Sequence, residues 1–416
     1  MSPLKSLCFS LALAYCQQVS AGNVEVLHWW TSGGEAKSVE SLKSALKARG
    51  HSWEDIAVAG LAGENAMNVL ITRAMSGNPP SAAQIKGPDI REWGRLGFLT
   101  NLDDVAQKES WDQLLPSQVA NIMKYDGHYV AVPFNIHRVN WLWVNPEVMK
   151  KAGVTVPQTL DEFFTTADKL QEAGYIAVAL SDEAWQEATI FDAIALSVLG
   201  ARDYEKAFVQ LDEKTLSGPK MAEAFRQFKR MKKYMDPEAA GRKWNESTDL
   251  VIQGKAAMQW MGDWAKGEFA AEGKQPGKDY LCAPAPGTKN TFMFNIDSFA
   301  FFSLQNKDDT DAQKALASAI LDPAFQRTFN LNKGSIPVRV DMDLNGFDQC
   351  SVDAMNAFLR GAATNQLVPS LSHGLASTRY VQNAVFDVVS QFFQSDTETP
   401  EQAAEKLAKA IYSVRN

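Results

Sequence analysis

The chain has 416 residues, 45% of them apolar, and a formal net charge of -8. That length exceeds one ordinary hydrophobic core and points to two lobes. The acidic balance argues against nucleic acid and against an anionic membrane surface as partners. After the first twenty residues no apolar run is long enough to span a bilayer.

Residues 1–21 read as a signal peptide. Lys5 supplies the positive end, Leu7 to Cys16 the apolar run, and Val19-Ser20-Ala21 the small residues before a cleavage point. The mature chain is expected to start near Gly22 and to reside in the periplasm. A lipoprotein anchored at Cys16 fits less well, because bulky Tyr15 stands where a small residue is wanted. Cleavage leaves Cys282 and Cys350. In an oxidising compartment that pair is compatible with a disulfide or with two buried thiols.

Val24 to Leu27 is a short strand, followed by Trp29, Trp30, a Thr31-Ser32-Gly33-Gly34 turn and Glu35. A helix then covers Ala36 to Arg49, with Val39, Leu42 and Leu46 on one face. In open α/β sheets ligands sit beyond the carboxyl ends of the strands. Trp29, Trp30 and Glu35 are therefore expected to face a cleft. Two indoles and an acid suit a ligand with apolar faces and a hydroxylated rim, which describes a sugar. The alternative is a core tryptophan pair, with Glu35 as a first-turn acid favoured by the helix dipole. Successive strand residues point to opposite faces, so at least one of the pair is assigned to the site.

Ile56 to Gly60 reads as a second strand, and Asn65 to Met75 as a helix that Gly77-Asn78-Pro79-Pro80 stops. Ser81 to Ile85 is a third strand with Lys86 at its carboxyl end. This rhythm predicts a largely parallel sheet. It makes Lys86 either a cleft residue or an ordinary solvated lysine.

Asp126-Gly127 turns a hairpin, and Tyr129 to Asn135 is extended. Trp141 to Asn145 is a strand with Trp141 and Trp143 on one core face, and Pro146 opens a helix through Lys151. Thr159-Leu160-Asp161-Glu162 has capping-box spacing ahead of a helix to Glu172. Residues 160–275 are mostly helical, with Phe225, Phe228 and Met231 on one face. The segment Ile252 to Trp264 reads as helix, tight turn and strand, then a Gly262-Asp263 turn that presents Trp264 to a ligand. Trp260 packs within the strand.

Pro284 to Gly287 is a loop, and Phe292 to Phe301 a strand with Asp297 inside it. Strand interiors disfavour Asp, and a buried unpaired charge is costly. Either a bend pairs Asp297 with a nearby base, or Asp297 lines the cleft and accepts hydrogen bonds from ligand hydroxyls. The second is preferred. A helix runs from Asp309 to about Asn330, Gly334 to Val338 is extended, and Leu371-Ser372-His373-Gly374 is a polar loop. Closing helices start near Thr378 and Pro400. The five histidines lack metal-ligand spacing, and neither a phosphate loop nor a Gly-x-Ser-x-Gly elbow occurs. No metal, cofactor or catalytic residue is expected.

Several of these stretches, in order, resemble the periplasmic solute-binding proteins of the maltose-binding-protein class. They are Lys86, Asp126-Gly127, Val132-Pro133, Leu142-Trp143-Val144-Asn145-Pro146, Thr159-Leu160-Asp161-Glu162, Gly254-Lys255-Ala256-Ala257-Met258 and Gly262-Asp263-Trp264. The third position of the asparagine motif is usually Tyr in that family and is Val144 here. Within the family, His28 to Glu35, Lys86-Gly87, Asn295-Ile296-Asp297 and Ser372-His373-Gly374 are most similar to proteobacterial glucose-binding proteins. The resemblance implies an α/β, two-lobed periplasmic binding protein fold with discontinuous lobes joined by a hinge. The lobes would be residues 22–133 with 290–338, and 134–289 with 339–416. It implies a monosaccharide, glucose first, held by stacking on Trp29, Trp30 and Trp264 and by Glu35, Lys86, Asp297 and His373. It also implies delivery to the membrane permease of an ABC importer after the cleft closes, by a protein acting as a monomer. A disaccharide such as maltose or trehalose is the alternative ligand. A secreted glycoside hydrolase using Glu35 and Asp297 is the alternative from another class.

Overall fold

The computed structural model describes residues 21–60, 63–181, 183–236 and 238–415. The expected signal peptide lies outside them, save its last residue. Among the described residues no helix is long and apolar enough to cross a membrane.

The first sheet has five strands in the order Ser52–Ala57, Asn23–His28, Ala82–Gln84, Ser298–Phe301 and Ala131–Pro133. The first three are parallel, and Ser298–Phe301 runs antiparallel to both of its neighbours. Helix Gly33–Lys47 buries Val39, Leu42 and Leu46 and packs on Pro323–Lys333. A second sheet has the order Leu281–Pro284, Trp141–Val144, Ala256–Trp260 and Ile176–Val178. Trp141 and Trp143 are core residues there, as expected. Long helices Ala184–Phe208, Pro219–Met231 and Arg379–Gln394 pack on one another in the same lobe, with Phe225, Phe228 and Met231 buried.

A third, short sheet joins the two halves: Phe292–Asn295 between Leu367–Pro369 and His137–Arg138. Phe292–Asn295 falls in the expected first-lobe range, yet both of its partners fall in the second. Its continuation, Ser298–Phe301, belongs to the first sheet.

Three elements differ from the sequence reading. The second strand is Ser52–Ala57, which starts before the expected Ile56 to Gly60 and shares only Ile56 and Ala57 with it. It is an edge strand, mostly exposed, so it needs no apolar run. The single strand expected over Phe292 to Phe301 is two strands in different sheets, broken at Ile296-Asp297. The helix expected from Asp309 to Asn330 is two, Lys307–Ile320 and Pro323–Lys333. Asp322 caps the second, accepting from Ala324 and Phe325 N–H, and Pro323 cannot extend the first.

Cys282 and Cys350 form a disulfide with Cα atoms 6.1 Å apart. It ties the edge strand of the second sheet to helix Gln349–Thr364.

Candidate ligand-binding site

A cavity of about 460 Å³ opens between the two main sheets. Trp29, Trp30, Glu35, Lys86, Trp264, Asp297 and His373 all line it. The fold thus brings together all seven residues named from the sequence.

The floor is built around Asp297, which is 2% exposed. The break between strands leaves its carboxylate facing four donors. Lys86 Nζ lies at 3.0 Å, His137 Nε2 at 2.9 Å, Asn135 Nδ2 at 3.2 Å and Gln84 Nε2 at 3.4 Å. A bend pairs Asp297 with nearby bases, as the first alternative expects, and the residue also lines the cavity. Burial pushes its pKa up, but Lys86, His137 and Lys333 outweigh burial and hold it well below the usual carboxylate range.

His137 is buried between two carboxylates, with Nε2 on Asp297 and Nδ1 on Asp263. Burial opposes its charge. The fields of Asp263 and Asp297 win and raise its pKa. With an acceptor on each nitrogen, the ring is an imidazolium. Asp263 also accepts from Arg138 N–H at 2.9 Å.

Glu35 pairs with Lys333 at 2.7 Å, and Lys333 is itself buried. Burial disfavours the ammonium, but Glu35 and Asp297 raise its pKa overall. The inner site thus balances Glu35, Asp263 and Asp297 against Lys86, Lys333 and His137. A charged solute would upset that balance, while a neutral, hydroxylated one finds hydrogen-bond donors and acceptors of both kinds in place.

The walls are aromatic. Trp29 is half-buried, with Lys86 Nζ 5.3 Å from its ring centre. Trp30 is 2% exposed and sits among Phe134, Phe299 and Phe329, so most of its surface is core. Trp264 lies edge-on to His137 and His373, at 5.3 and 4.6 Å. Glycines back two of the cavity indoles, Trp29 and Trp264. A Cβ on Gly63 would sit 2.8 Å from the Trp29 ring, and one on Gly262 only 2.1 Å from the Trp264 ring. Gly63 also has φ +101°, which suits glycine.

His373 is carried by a loop fastened to helix Ala184–Phe208. Buried Asp192 accepts from Ser370 Oγ at 2.9 Å, Ser372 N–H at 3.0 Å and Tyr204 O–H at 2.5 Å. Burial, aided by Lys86 and His137, pushes the His373 pKa well below 6.5 and so favours the neutral ring.

The two halves touch at the rim. A Cβ on Gly87 would lie 2.5 Å from Gly374 O. Arg379 N–H donates to Asp89 at 3.2 Å, and its guanidinium lies 3.4 Å from Glu64. On the far side Gly34 N–H donates to Glu268 at 3.2 Å. The conformation is closed.

Sequence reasoning missed His137, Lys333, Trp185 and Asn295, all of which line the cavity. Asn135 and His137, two apart in the otherwise apolar stretch after Val132-Pro133, were a usable signal for a polar site at the crossing. Lys333, before Gly334 at a helix end, looks like an ordinary dipole-compensating lysine.

A family model described as bacterial extracellular solute-binding protein matches residues 39–324. The probable sugar-binding periplasmic protein of Rhizobium meliloti is 44% identical over 399 residues, 96% of each chain. Among solved structures, the bacterial solute receptor AcbH superposes with a TM-score of 0.80 at 18% identity, over 95% of this chain and 100% of that one. Maltose-bound MalE3 of T. maritima superposes with a TM-score of 0.73 at 18% identity, over 94% of this chain and 100% of that one. The fold is the two-lobed, maltose-binding-protein-like fold, its discontinuous lobes joined by a hinge. The relatives from Rhizobium meliloti and Brucella suis are both named as probable sugar-binding periplasmic proteins. The chain belongs to the bacterial extracellular solute-binding proteins.

Proposed function

We propose that this chain is the periplasmic sugar-binding component of an ABC importer and that it holds one monosaccharide, glucose by preference. The observation that carries the reading is the Lys86–Asp297 pair, 3.0 Å apart on the floor of a cavity walled by indoles. A pyranose offers C–H faces to stack and hydroxyls that need partners once dry. Asp297 and Glu35 accept from those hydroxyls, Lys86 donates, and His373 contributes from the second lobe. Trp29, Trp264 and the exposed part of Trp30 cover the ring. The sugar-binding relatives support the same class and the same compartment.

The lobes run as 22–133 with 290–338, and 134–289 with 339–416, the chain bending between Asn295 and Ser298 where its ladders change. Ligand contacts from both lobes form together only when the cleft shuts, so the sugar favours the closed state by its differential affinity. Hinge closure of periplasmic binding proteins is an established case of this motion. The closed monomer then delivers its sugar to the membrane permease.

A disaccharide has one observation in its favour: the lining also includes Trp185, Trp244 and Phe386, aromatic surface beyond the three tryptophans assigned to one ring. Calorimetric titration with glucose, galactose, mannose, xylose, maltose and trehalose decides. The expected result is one sugar per chain, with glucose tightest. Binding of a disaccharide with no response to any aldose would overturn it.

A further inference from the structure

His373 Nε2 lies 3.1 Å from Thr189 Oγ1, and both residues are buried. The same hydroxyl lies 2.8 Å from the Trp185 carbonyl, one turn earlier on helix Ala184–Phe208. A hydroxyl has a single proton to give. The shorter contact has the length of an O–H···O bond and the longer that of an N–H···O bond. The Thr189 proton therefore goes to the Trp185 carbonyl, and Thr189 oxygen accepts from Nε2–H.

Burial beside Lys86 and His137 disfavours a second proton on the ring, and a neutral imidazole carries one N–H. Nδ1 is then a bare lone pair. It is not among the buried atoms lacking a partner, it receives no hydrogen bond from any described residue, and the ring lines the cavity. Nδ1 is thus open to the ligand space. The Asp192 fastening of Ser370 and Ser372 restrains the loop, so the imidazole stays in register with Thr189.

We propose that Thr189 is a positioning residue that locks His373 in its Nε2–H tautomer, so that Nδ1 accepts a hydrogen bond from a hydroxyl of the bound sugar. This rests on the sugar reading given above. It adds a rule of selection: at the position facing His373 the ligand must donate. A deoxyfluoro sugar, whose fluorine has no proton to give, is rejected there.

Two-bond proton–nitrogen spectra of protein labelled with 15N-histidine test the tautomer directly, with His373→Asn used to assign the signal. The expected pattern is a pyridine-like Nδ1 and a pyrrole-like Nε2, with Nδ1 moving when glucose is added. Thr189→Ser keeps that pattern and the affinity. Thr189→Val mixes the tautomers and weakens binding by about tenfold, the scale of one hydrogen bond. A protonated Nδ1, or a Val variant with unchanged tautomer and affinity, overturns the inference even if glucose binds. The stated tautomer with an Nδ1 signal that no aldose moves defeats the sugar reading instead.

Discussion

His137 Nε2 donates to Asp297 at 2.9 Å at the place where the chain passes between lobes. The group that faces the ligand space is therefore held by a cation at the hinge. Asp297 is not an isolated acceptor: before any sugar arrives its charge is already shared among Lys86, His137 and two amides.

Removing His137 leaves Asp263 and Asp297 buried without their shared cation. His137→Ala should cost about 3–5 kcal/mol of stability, the usual penalty for breaking a buried pair. Denaturant unfolding measures it. A loss below 1 kcal/mol, about the worth of a surface pair, would mean the ring is not charged.

The pH dependence follows from opposite shifts. His137 is raised above 6.5, so its contribution is complete below that value and is lost as pH rises through the folded pKa. Asp297 is depressed below 3.8, so its contribution is complete above that value and is lost as pH falls through the folded pKa. Stability from this network should be full between those limits and decline on the alkaline side, and His137→Gln should flatten that decline. Unfolding free energies across a pH series give the slopes.

At the rim, burial raises the Asp89 pKa to about 6 against the opposing charge of Arg379. Opening the cleft exposes the carboxyl and returns it toward 3.8, so closure takes up protons. Sugar affinity should be several-fold tighter at a pH of about 5 than near neutrality, with proton uptake on binding between. Asp89→Asn should remove most of that dependence. Calorimetry in buffers of different ionisation heat counts the protons, and an equal slope in the variant would clear Asp89.

The disulfide closes a span of 68 residues. Chain entropy assigns such a loop about 4 kcal/mol. Cys350→Ser should lose stability on that scale yet keep its sugar affinity, since neither cysteine lines the cavity. Thermal melts and a titration of the variant check both halves.

The site was legible where chemistry sits at strand ends: Trp29, Glu35 and Lys86 follow short strands, and Asp297 stood out as a carboxylate in an apolar run. What that run did not reveal was its division between two sheets, because a two-residue bend carries no Gly or Pro. Nor did Trp30 declare itself mostly core, since its three Phe neighbours come from positions 134, 299 and 329. Lys333 reaches Glu35 across almost 300 residues, 298 in sequence, and no local pattern announces a pairing at that distance.

The crystal structure of the protein saturated with glucose tests the central claim most directly. The account predicts one pyranose in the cavity, its hydroxyls bonded to Asp297 and Lys86 and its ring against Trp29 or Trp264. Sugar bound elsewhere, or bound there without touching Asp297 and Lys86, would contradict it.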